Sequence, residues 1–143
     1  MSTDTNIPTA QVAQTLTRSN LLYVFSQRDA SKRLEAIEKN YHADVQFDEP
    51  DGSVFVGHEG VNKKAGELLE ERPGWGFVPT GSVKQTNDLL YLAWGFGPVV
   101  EGGKLGEEGS VDVKATGADV ILVEGGLIKK VWVIIDGLSD VKV

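Results

Sequence analysis

The hydrophobic pattern of this chain changes period near residue 44, and the change constrains the fold more than any motif does. Before that point, apolar residues recur every three or four positions, the spacing of a helix face. After it, with one helical interruption, they alternate as in half-buried strands. Helices gathered early and strands gathered late predict an α+β layout rather than alternately wound βαβ units. With 143 residues, there is room for one domain and one core.

The first predicted helix covers residues 10–27, with Pro8-Thr9 as its start and Val12, Leu16, either Leu22 or Tyr23, and Phe25 forming a wide apolar stripe. A second, capped by Asp29, carries Ala30, Leu34, Ile37 and Tyr41 on one face. Residues 44–48 then alternate, Pro50-Asp51-Gly52 makes a turn, and 53–56 return as a short strand. A third helix is expected over 57–71, stopped by Arg72-Pro73-Gly74. Further strands are predicted at 76–83, 89–96, 110–116, 118–123 and 127–135, with tight turns at Asn87-Asp88 and Glu124-Gly125-Gly126. Residues 98–109 hold Gly102, Gly103, Gly106 and Gly109, and read as a mobile hairpin loop. They lack the glycine order of a phosphate cradle. The expected architecture is three helices and a short hairpin packed in a strongly curved antiparallel sheet of four to six strands. A leader at 1–8, a domain at 9–137 and a tail at 138–143 complete the division.

Composition narrows the function classes. The formal charge of −7 repels phosphate backbones and anionic lipid, and the basic residues are scattered, so neither nucleic acid nor membrane is an expected partner. There is no cysteine, which removes disulfides, thiolate nucleophiles and Cys-ligated metal, and is compatible with a cytoplasmic location. His42 and His58 lack metal-ligand spacing, so no metal and no cofactor is expected. No apolar run approaches the roughly 18 residues of a membrane span.

Strand parity supplies pocket candidates. Trp94 and Phe96 share a face, Phe77 lies on the preceding strand, and Phe47 points inward if Gln46 and Asp48 point out. Ile121 and Val133 are expected beside them, with Asn20 and Tyr23 contributed by the first helix. Trp132 and Ile134 have the opposite parity, and an apolar outer face suggests a homodimer formed through the sheet.

The segment 41–52, with its aromatic, its Asp44, its alternating strand and an acid directly before Pro50, resembles the first-hairpin signature of the nuclear-transport-factor-like (SnoaL-like) superfamily. Residues 57–61 are similar to that superfamily's start of the third helix, and 119–128 and 132–136 resemble its closing hairpin. The resemblance implies a cystatin-like cone around one apolar pocket. Its steroid-isomerase branch implies two catalytic carboxylates: Glu49 to move a proton, and Asp119, kept protonated, to donate to an oxyanion. That branch has a tyrosine in the first helix, where this chain has Asn20 or Leu21, depending on which end is counted from. The expected function is a cofactor-independent isomerase, cyclase or dehydratase acting on a small apolar carbonyl compound. The alternatives are a non-catalytic carrier of a small ligand and a dimeric interaction domain.

Overall fold

A computed structural model describes residues 7–142. Most of the expected leader, residues 1–6, lies outside the described residues, as does residue 143. Helix α1 spans Ala10–Ser19, and the Thr9 side chain caps it by accepting from the Val12 amide at 3.2 Å. A π-helical turn, Asn20–Val24, follows directly. Helix α2, Ala30–Asn40, is capped by Asp29, which accepts from the amides of Ser31 and Lys32. Strands β1 (Tyr41–Asp48) and β2 (Val54–Val56) form the short hairpin, and α3 spans Gly57–Glu71. The remaining strands are β3 (Trp75–Pro79), β4 (Lys84–Thr86), β5 (Leu89–Pro98), β6 (Ala115–Glu124) and β7 (Leu127–Ile135).

Among the described residues, one mixed sheet contains seven strands, in the order β2-β1-β7-β6-β5-β3, with β4 also on β5. The expectation of a wholly antiparallel sheet is corrected at one pairing: β1 and β7 are parallel, with Phe47 opposite Val131. Three antiparallel steps from β3 through β5 and β6 bring β7 back in the direction of β1. Side-chain alternation is the same for either direction, so the sequence pattern could not show this. Four boundaries also move. The 76–83 strand ends at Pro79 as β3, and a separate short strand, β4, forms just beyond it at Lys84–Thr86. The 110–116 strand shrinks to a bridge between Val99 and Val111, and β6 runs unbroken through Gly117. The first helix becomes α at Ala10–Ser19 followed by the π turn. Tyr41 begins β1 rather than ending α2.

The core forms where helices meet sheet. Ala13, Leu16, Ile37, Val61 and Ala65 pack on Val45, Phe47, Leu90, Ile121, Ile128 and Val131. Each such large side chain contributes about 1.5–3 kcal/mol by leaving water. A second cluster, of Leu21, Leu22, Phe77, Leu92, Trp94 and Phe96, forms the wall beside it. Side-chain polar links fix the end of the first helical segment. The Phe77 amide donates to Ser26 Oγ at 2.9 Å, and the Arg28 guanidinium donates to the carbonyls of Leu69, Arg72 and Trp75. The glycine-rich 98–109 segment folds back by backbone bonds such as Val100 N–H to Ser110 O, at 2.8 Å. A Cβ on Gly106 would meet Leu22 and Arg18, so this loop lies against the first helical segment.

Candidate active site

Between the two core clusters and the β1–β2 hairpin lies a cavity of about 290 Å³. Phe25, Phe47, Phe55, Phe77, Trp94 and Phe96 supply aromatic walls, and Leu21, Leu68, Ala115, Val133 and Ile135 supply aliphatic ones. The rings pack on one another. Phe47 stacks on Phe55 at 4.7 Å between centroids, Phe77 stacks on Phe96 at 4.2 Å, and Trp94 meets Phe77 edge-on at 5.1 Å. Few polar groups interrupt this lining: Asn20, Glu49, Asp51, Lys64 and Asp119. An apolar chamber with a few converging polar groups is the usual form of a small-molecule site.

Asp119 is 6% exposed and points inward from the middle of β6. One carboxylate oxygen accepts from Asn20 Nδ2 at 2.8 Å, and the other accepts from Trp94 Nε1 at 3.2 Å. Burial pushes its pKa up to about 7, with the nearby Glu49 charge acting in the same direction against the two hydrogen bonds. Glu49 sits just past β1, with a side chain 14% exposed, and its Oε1 lies 3.6 Å from Lys64 Nζ on α3. Desolvation raises its pKa above the usual carboxylate range; Lys64 opposes that rise and Asp51 adds to it. Two carboxyls from separate parts of the sheet thus face one apolar chamber, both less acidic than in water.

Of the residues the sequence singles out, Asn20, Phe47, Glu49, Phe77, Trp94, Phe96, Asp119 and Val133 line this chamber. Two do not. Tyr23 is 54% exposed and borders a shallow groove between α1 and α2, because the π turn rotates it away from the core. Ile121 is wholly buried in the main core, two residues along β6 from Asp119. No residue of the 98–109 loop lines the chamber. His42 and His58 are engaged by backbone oxygens of Glu124 and Tyr41. Among the described residues, no group of three or more His, Asp or Glu side chains is placed to hold a metal ion.

Sequence reasoning misses the polar support behind Asp119. Tyr41, read as part of a helix stripe, is buried and donates its hydroxyl proton to Asn20 Oδ1. The available signal was chemical: a buried tyrosine hydroxyl needs a partner.

Solved structures resemble the fold as a whole. A SnoaL-like family protein from Agrobacterium tumefaciens, provisionally described as an isomerase, has a TM-score of 0.70 at 19% identity, over 89% of this chain and 96% of its own. A SnoaL-like protein from Jannaschia, provisionally described as a polyketide cyclase, gives 0.65 at 10% identity, over 99% and 98%. A protein from Kribbella flavida, provisionally described as a ketosteroid isomerase, gives 0.58 at 14% identity, over 97% and 82%. The chain has the SnoaL-like, ketosteroid-isomerase-like fold. No family model matches its sequence, and no curated protein does so. At these identities the likeness speaks for the fold, and the chemistry must be argued from the chamber itself.

Proposed function

We propose that this protein is a cofactor-independent proton-transfer enzyme, an isomerase, cyclase or dehydratase acting on a small, largely apolar carbonyl compound. One observation carries the reading: Glu49 and Asp119 face a single aromatic-lined chamber, and burial raises the pKa of both. In an isomerisation, the Glu49 carboxylate takes a proton from the carbon beside the carbonyl. The C–H electron pair becomes the C=C bond of an enol, and the carbonyl oxygen receives the Asp119 proton. Return of the Glu49 proton to a different carbon, and of the oxygen's proton to Asp119, completes the cycle. A base and an acid with separated pKa values are what such a cycle needs.

The same assignment sets the pH dependence. Glu49 must be ionised, so the rate rises as pH passes its raised pKa. Asp119 must be protonated, so the rate falls as pH passes about 7. A bell-shaped profile is expected, with its alkaline limb near neutrality.

Exchange of α-protons into D2O, followed by proton NMR over a panel of small cyclic and aryl ketones, tests the reaction class. Exchange well above the buffer rate, reduced on the order of 100-fold in Glu49→Gln, is expected. Ketones that bind without accelerated exchange would overturn the enzyme reading. They would favour the second one, a carrier without turnover. That reading has its own support, since both Asp119 oxygens already accept hydrogen bonds from the protein.

The proposal includes a homodimer through the outer sheet face. Tyr91, Val120 and Trp132 are register neighbours across β5, β6 and β7, and all three are only partly covered within one chain.

A further inference from the structure

Asp119 is held by groups of unequal chemistry. The Trp94 indole can only donate, so its side of the carboxyl is fixed. The Asn20 amide donates at one end and accepts at the other, so it could face Asp119 either way. Behind it stands Tyr41, 1% exposed, whose phenol hydroxyl, a stronger donor than acceptor, donates to Asn20 Oδ1. Tyr41 does not line the chamber, and the proposed proton transfer makes no direct use of it.

We infer that Tyr41 is a positioning residue: by holding the Asn20 amide with its nitrogen toward Asp119, it directs the Asp119 proton to the chamber. The inference rests on reading Asp119 as the acid of the site. With the amide held this way, both protein-facing sides of the carboxyl meet N–H donors. A proton gained by Asp119 has no acceptor on those sides, and its O–H takes the lone-pair direction that faces the cavity. The Tyr41 hydroxyl also satisfies an amide oxygen that would otherwise be buried without a partner, and it polarises the amide so that Nδ2 donates more strongly. That donation favours the ionised carboxyl and offsets part of the effect of burial.

Loss of the hydroxyl reverses these effects. The Asn20 amide is then free to turn and offer Oδ1 to a protonated Asp119. The neutral acid gains an internal acceptor, and its proton turns away from substrate. The other groups that bear on Asp119 stay in place. Glu49 lies across the chamber, Lys64 of α3 pairs with Glu49, and His58 of α3 reaches only the Tyr41 backbone oxygen.

The test is a carbon-detected NMR titration of the Asp119 carboxyl in ligand-free wild type and Tyr41→Phe. The variant removes one oxygen and keeps the ring. Its Asp119 midpoint is expected to rise by about one pH unit, with a changed Asn20 side-chain amide shift. In the exchange assay, the alkaline limb should move upward by the same interval while the maximal rate falls. An unmoved midpoint in a folded Y41F would overturn the inference. Should that variant not fold, the wild type can still overturn the inference. The Asn20 side-chain amide protons must respond at the Asp119 midpoint, and amide signals that ignore it would count against the inference. Because the titration needs no substrate, its outcome is separable from that of the enzyme reading. A raised wild-type midpoint that Y41F leaves unmoved removes the role of Tyr41 alone.

Discussion

At the scale of the residue, Asp119 links the chamber to stability. Its folded pKa of about 7 stands above its value in an unfolded chain, so the folded state binds the proton more tightly. The stabilisation is complete below the unfolded value near 4 and is lost as pH rises through about 7. The slope is about 1.4 kcal/mol per pH unit, and the whole effect is on the order of 4 kcal/mol. Glu49 is raised too and acts with the same sign. Asp44 and Asp48 are lowered by hydrogen bonds with Lys129 and with Gln46 and Lys130, and they contribute in the opposite sense, losing stabilisation as pH falls. Urea denaturation from pH 5 to 8 should therefore show stability falling. In Asp119→Asn that fall should be much flatter, and an unchanged slope would place its cause elsewhere. Glu49 and Asp119 were legible in the sequence through the resemblance, which marks an acid directly before Pro50 and an acid early in a late strand. The Tyr41–Asn20 link was not, because a hydrogen bond between residues 21 apart leaves no periodic trace.

At the scale of the element, glycine gives the indole its place. Gly117 of β6 lies opposite Trp94 of β5 in the register. A Cβ there would stand 2.6 Å from Trp94 Cζ2 and 2.1 Å from the Ile134 carbonyl oxygen. The missing side chain lets the ring cross the strand and reach Asp119. Gly117→Ala is expected to cost about 1–3 kcal/mol in urea denaturation and to change the indole N–H shift of Trp94. An alanine tolerated without either change would mean that the ring has slack. The helices, the hairpin turn and most strands were visible as periods and caps. The π turn was not, since one extra residue per turn does not disturb an apolar stripe enough to be seen. That turn accounts for the outward position of Tyr23, on which the helical stripe was misleading.

At the scale of the whole molecule, the parallel β1–β7 pairing brings the strand leading to Glu49 within two places of the strand that carries Asp119. Alternation shows which side chains share a face but not which strands are neighbours, so the resemblance in motif order supplied what periodicity could not. If the outer face mediates a dimer, sedimentation should give twice the chain mass. Trp132→Glu, which places a charge in the Tyr91-Val120-Trp132 row, should give a folded monomer. A wild-type monomer at high concentration would contradict the dimer and leave the chamber as it is. The chamber's central property is a pair of carboxyls lifted from their ordinary range by burial, and titration of both side-chain carboxyls by carbon-detected NMR measures it directly. The expected result is an Asp119 midpoint near 7 and a Glu49 midpoint above that of exposed glutamates. Midpoints near 4 for both would contradict it.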